Sequence, residues 1–208
     1  MSFTGFDIAD FDVLNVHGLD PRMAAILTTV RPKLTAIGEH IAPFLSAKLG
    51  QPIYPHVARH ARRTVNPPDD TWVAFSTNPR GYKALPHFQV GIWSTHAYID
   101  FAIIYESQNK TVFADNLAKQ LTAIKQQIPA NYTWSLDHTK PHGEHVHHNM
   151  SDELFNEYIE KLKTVKKSEI TCGIELDKNT VINMDGQQFL QKIEDTFERL
   201  LPLYRISF

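Results

Sequence analysis

Apolar residues recur along this chain with two different periods, and the switches between them predict its elements. Asp20-Pro21 is a helix start, with the aspartate capping free N–H groups and the proline sitting where its missing donor costs nothing. Met23, Ile26, Leu27 and Val30 then fall on one helical face. Pro32 forces a kink or a restart, and Leu34, Ile37, Ile41, Phe44, Leu45 and Leu49 carry a second stripe to Gly50, bent at Pro43. Upstream, Phe6, Ile8, Phe11, Val13 and Leu14 are spaced irregularly and suit a short helical turn or an edge segment. Val90 to Trp93 and Ala97 to Tyr105 are apolar runs joined by Ser94-Thr95-His96, a connection of hairpin length that predicts two antiparallel strands. Leu117, Leu121, Ile124 and Ile128 predict a helix over 116–128, stopped by Pro129. Tyr132, Trp134 and Leu136 alternate with polar residues as a half-buried strand does. Ser151 caps a helix with Leu154, Phe155, Tyr158, Ile159, Leu162 and Val165 inward, and Lys163, Lys166 and Lys167 suit its negative pole. Ile170, Cys172, Ile174 and Leu176 form one face of a further strand. Asp185-Gly186 opens a last helix whose inner residues are Phe189, Leu190, Ile193, Phe197, Leu200 and Leu201.

Helices come first, then clustered strands with short links, then helices interleaved with single strands. That order predicts an α+β fold, a largely antiparallel sheet of about five or six strands packed with helices, rather than a doubly wound parallel sheet. The 208 residues, 42% hydrophobic and 21% charged, without repeat or linker, suit a single domain over 1–208. A formal net charge of -2 gives no global attraction to polyanions, so any such affinity must be local. The single cysteine, Cys172, excludes an internal disulfide and lies in a buried-strand pattern, which points to the reducing cytoplasm as the compartment. No apolar run approaches the roughly 18 residues of a membrane span, and the first residues lack a basic signal-peptide start, so neither membrane nor secretion is expected.

Local chemistry concentrates between Tyr54 and Phe88. Pro55 can open a helix running to about Arg63, which would gather His56, Arg59 or His60, and Arg63 on one face. Val65-Asn66-Pro67-Pro68 must leave that helix, since successive prolines enforce extended geometry. Trp72 to Ser76 is then a strand with Trp72 and Ala74 on one face and Val73 and Phe75 on the other. Asn78-Pro79-Arg80-Gly81 fits a type I turn. His87, Gln89 and Trp93 share one face of the next strand. If the two faces meet, His56, His60, Arg62, Arg63, Arg80, Lys83, His87 and Gln89 converge beside Trp72 and Tyr82. Such a cationic-aromatic pocket would take a phosphorylated or other anionic ligand, nucleotide or nucleic acid included. The competing reading is a solvated basic face whose Arg and Lys pair with Asp69, Asp70 or Glu106. The hydroxyls Thr64, Ser76 and Thr77 lie in no nucleophile motif.

The run YPHVARHARRTVNPPDDTWVAFSTNPRGYKALPHFQ, with GLDPRM and RPKL upstream and LDHTKP downstream, resembles the YktB-like family of small uncharacterised bacterial proteins. The resemblance extends over nearly the whole chain and implies a single α+β domain in the cytoplasm. It carries no activity, ligand or catalytic residue that could be transferred.

Outside that run, Asp137 to His148 (DHTKPHGEHVHH) holds five histidines. His142, His145 and His147, with Glu144, offer donors suited to Zn2+, which makes a metal-dependent hydrolase the alternative function. No HExxH spacing is present, and an exposed loop that binds metal adventitiously explains the tract as well. Asp137-His138 could orient an imidazole for acid–base work. A protein-interaction scaffold is the third reading. Cofactor, substrate and oligomeric state stay open.

Overall fold

Seven strands form one sheet in the computed structural model, which describes residues 2–208. They are β1 (Tyr54–Val57), β2 (Asp70–Ser76), β3 (His87–Trp93), β4 (His96–Ile103), β5 (Thr133–Ser135), β6 (His145–Val146) and β7 (Ile170–Asp177). Their order across the sheet is β1-β2-β3-β4-β7-β5-β6, and every pairing is antiparallel. The α+β architecture is as expected, with seven strands in place of five or six. The two additional strands, β1 and β6, are short edges.

Register explains where the core lies. Phe75 pairs with Phe88, Phe88 with Phe101, Phe101 with Cys172, and Cys172 with Trp134, so one apolar row crosses five strands. Val73, Val90, Ile99 and Ile174 form the next row. Because side chains alternate across a strand, all of these point to one face and must be covered. Beside the short helices α1 (Ile8–Asp12), α2 (Leu19–Ala25) and α6 (Lys178–Ile182), the longer α3 (Arg31–Leu49), α4 (Lys110–Gln127), α5 (Asp152–Thr164) and α7 (Gly186–Arg205) supply the cover. Phe197 of α7 meets Phe75 and Phe88 at ring-centroid distances of 5.8 and 4.8 Å, and Phe113 of α4 meets Phe101 at 5.8 Å. Asp185 and Gln188 close a reciprocal capping box at the start of α7.

Several local expectations shift. Tyr54–Val57 is a strand, so the predicted helix from Pro55 to Arg63 does not form. The basic residues there do recur at helical spacing, but Pro55 is also tolerated on an edge strand, and pairing of Val57 with Val73 decides the outcome. The helix α2 (Leu19–Ala25) starts two residues earlier than expected, with Gly18 at its N-cap in place of Asp20. A π-helical turn, Ile26–Val30, absorbs the discontinuity before Pro32. His96 belongs to β4 and not to the hairpin link.

Candidate functional site

The same register that builds the core lines up a second, polar set of rows on the sheet's other face. One row runs Ala74, Gln89, Asp100, Gly173, Thr133 and the next runs Trp72, Gly91, Tyr98, Glu175. Two glycines shape this face. A Cβ at Gly91 would lie 2.4 Å from the Tyr98 ring end, and one at Gly173 would lie 2.1 Å from Asp100 Oδ1. Lacking side chains, they let Tyr98 lie across β3 and Asp100 lie across β7. Tyr98 thereby reaches beyond its neighbouring strand and donates its hydroxyl to Asp70 Oδ2 at 3.1 Å.

The segment 137–144 closes over this face. Glu175 accepts the Gly143 N–H at 2.6 Å through Oε1 and meets His142 Nδ1 at 2.7 Å through Oε2. Glu169 accepts both the backbone N–H of His138, at 2.9 Å, and its Nδ1, at 2.8 Å. Between segment and sheet lies a cavity of about 30 Å3 lined by Gln89, Tyr98, Asp100, His138, His142 and Glu175, among others. That is room for a water or two.

Electrostatics here depart from the surface norm. Burial raises Asp70 from 3.8 to about 6, against the opposing Tyr98 hydrogen bond. Burial, then the Glu175 charge, raises Asp100 to about 8, although a Gln89 hydrogen bond pulls the other way. Burial also pushes the Tyr98 hydroxyl well above its usual range. For His138 burial works downward, and Glu169 more than offsets it through its hydrogen bond and charge, leaving the imidazole raised. The result is a compact set of groups in which burial moves two carboxyl groups, Asp70 and Asp100, toward neutral pH.

The residues expected from the Tyr54–Gln89 stretch fall into two groups. His56, His60, Trp72, Tyr82 and His87 do come together: Tyr82 lies 5.9 Å from His56 and 4.8 Å from His87 by ring centroids, and His60 lies 5.4 Å from Trp72. Trp72 Nε1 donates to Tyr82 Oη at 3.0 Å. Burial lowers His56 and takes His60 and His87 down to about 4, so the latter two carry no charge at neutral pH. Gln89 faces the carboxylates. Arg62, Arg63 and Arg80 are exposed, and Lys83 pairs with Glu106 at 3.6 Å. Glu106 is thus the partner of a cation, as in the competing reading of this stretch. Asp69 pairs with Arg22, which also donates to the Val16 and Pro68 carbonyls and ties the 58–69 segment to α2.

The histidine tract is dispersed. His147 is buried, with Nδ1 accepting from Trp134 Nε1 at 3.0 Å and Nε2 donating to the Lys125 carbonyl at 3.0 Å, which uses both ring nitrogens. His145 is exposed and packs 6.0 Å from the Tyr158 ring. His142 alone joins a donor group, with His96 and Glu175. A larger hollow of about 810 Å3, between Lys125, His148, Lys192 and Arg199, is open, and no orphaned buried polar side-chain atom among the described residues belongs to its lining.

Asp100, Glu175, Tyr98 and His96 escape a reading of the sequence that treats 97–105 and 170–176 as plain buried strands. The available signal is parity: Tyr98 and Asp100, like Gly173 and Glu175, occupy alternate positions of otherwise apolar runs.

Residues 6–204 match the family described as a domain of unknown function, DUF1054. A UPF0637 protein of Bacillus velezensis is 52% identical over 202 residues, covering 97% of this chain and 96% of that protein. A UPF0637 protein of Bacillus mycoides is 48% identical over 206 residues, covering 99% of each, and one of Bacillus licheniformis is 47% identical over 207 residues, covering 100% of this chain and 98% of that protein.

Proposed function

We propose, for a chain that belongs to the DUF1054 family, that the polar face of the sheet binds a small, donor-rich polar molecule and exchanges protons with it. The observation that carries this reading is the convergence of Asp70, Tyr98, Asp100 and Gln89 on one roofed face, with the Tyr98–Asp70 bond bridging β4 and β2. Four carboxyl groups, Asp70, Asp100, Glu169 and Glu175, suit amines, amides and hydroxyls better than they suit an anion. An anionic group on such a ligand would find its partner at the rim, where the Arg63 charge adds to the burial that lowers His60 and pulls against the burial that raises Asp70. Entry requires the 137–144 segment to lift, because the closed cavity admits only water.

Thermal-shift screening of wild type, Asp100→Asn and Tyr98→Phe against a panel of polar metabolites tests the reading. A ligand present at about 100 times its Kd stabilises the wild type by roughly 2.7 kcal/mol, and both variants should lose most of that shift while keeping their circular dichroism. Ligands that stabilise all three proteins equally would place binding elsewhere.

A further inference from the structure

His96, His142 and Glu175 each present a ligand atom within 4.8 Å of the others, from β4, the 137–144 segment and β7. His96 is 3% exposed, and its Nε2 is buried without a well-formed hydrogen bond, although the Pro141 carbonyl lies close enough to act on the ring. Leaving a buried ring nitrogen unpaired is costly, so an orphan of this kind calls for a reason. The other nitrogen, Nδ1, lies 2.8 Å from Thr95 Oγ1. In the tautomer that donates Nδ1–H to that hydroxyl, Nε2 bears a bare lone pair, and the ring orientation is set by an outer hydrogen bond, as is usual for metal-bound histidines. The His96 and His142 rings lie face to face, with centroids 4.6 Å apart and planes 24° from parallel. Glu175 Oε2 meets His142 Nδ1 at 2.7 Å, a contact that a cation can take over from a proton.

We propose that these three side chains form a binding site for one borderline divalent cation, of the Zn2+ class. Two imidazoles and a carboxylate are the donor set that such ions prefer, and three protein ligands leave a position free. His142 and Glu175 also line the cavity of about 30 Å3 beside Tyr98 and Asp100, which holds space for a water to complete the shell. The inference goes beyond the ligand reading above and does not rest on it, since a cation bound here requires no turnover and no opening of the roof.

Zn2+ is the probe. Protein purified without a histidine tag is stripped with chelator and titrated calorimetrically, and Co2+ loading is followed by its visible absorption. Wild type should bind one ion per chain. His142→Ala, at an exposed ring, and the isosteric Glu175→Gln should each weaken binding by about 100-fold or more, with unchanged circular dichroism. His96→Ala should do the same, and the other two variants keep the test valid if this buried change unfolds the chain. His145→Ala and His148→Ala, exposed histidines of the same tract, should bind as the wild type does. The proposal is overturned if the wild type takes up no Zn2+, if His142→Ala and Glu175→Gln bind undiminished, or if uptake is lost in His145→Ala or His148→Ala instead.

Discussion

Phe75, Phe88, Phe101 and Trp134 lie in one row on the helix side of the sheet, and one residue along each strand Ala74, Gln89, Asp100 and Thr133 form the row behind it. The first row is fully buried among other hydrocarbon, where each ring contributes transfer free energy and dispersion contacts. The second holds Asp100 and shares its face with Asp70, two carboxyl groups whose ionisation burial opposes. Burying carboxyl groups costs free energy that an apolar filling of the same face would not, so the two faces contribute to stability with opposite sign. One sheet therefore carries both environments, separated by the thickness of a strand.

The contrast can be broken most forcefully from the apolar side. Phe88→Ala should cost about 3–5 kcal/mol, because its ring touches Phe101, Phe197 and Tyr204 and no water replaces it; chemical denaturation would show a midpoint drop at unchanged slope, and a loss under 1 kcal/mol would mean that the row is not the core. On the polar side the sign with pH is the sharper test. Asp70 is raised from 3.8 to about 6 in the fold, so the folded state holds its proton more tightly than the unfolded chain does. Its stabilising contribution is complete below about pH 4 and is lost as pH rises to about 6, a change of roughly 3 kcal/mol at most. Asp70→Asn should flatten that part of the stability profile, and a variant whose profile parallels the wild type would remove Asp70 from the polar face's electrostatics. The smallest effect is expected where the two faces share a strand. Gly91→Ala pushes a methyl into the Tyr98 ring and should cost about 1–3 kcal/mol while breaking the Tyr98–Asp70 bond. Tyrosine fluorescence and the Asp70 titration followed by NMR would both move, and an unshifted titration would separate the glycine from the bridge.

Most of the apolar face is legible in the sequence, because β-strand parity and helical periodicity leave direct marks: 90–93, 170–176 and the inward stripe of the last helix stand where the pattern puts them. The strand expected over 97–105 ends at Ile103 and leaves Tyr105 exposed, and Val165, just past the helix that Ser151 caps, is exposed as well. Edges were harder. Tyr54–Val57 was open to a helical reading because an edge strand needs only one partner, and its four residues leave no alternation long enough to outvote the basic spacing that follows. His145–Val146 has two residues and no pattern at all. The polar face was partly hidden for a different reason. Trp72, Tyr82, His87 and Gln89 could be named because they stand in a stretch dense with unusual residues. Asp100 and Glu175 sit singly in apolar runs, and only long-range pairing of β4 with β7 brings them together. The histidine tract announced itself by composition, yet only His142 finds other donors, because the partners are contributed by distant strands.

That pairing has a kinetic corollary. β1 to β4 follow one another in sequence and in space, so this half of the sheet can zip locally, whereas β7 must insert between β4 and β5 after a long excursion of the chain. Closing that span costs more chain entropy than closing the local hairpins, and a chain in which it has not closed presents β4 as a bare edge rich in Ala, Ile and Phe, a template for wrong partners. His96 and Asp100 stand on one side of the seam, Glu175 on the other. Any ion or ligand held across it acts as a clasp that can fasten only on a finished sheet, and so tells completed molecules from unfinished ones.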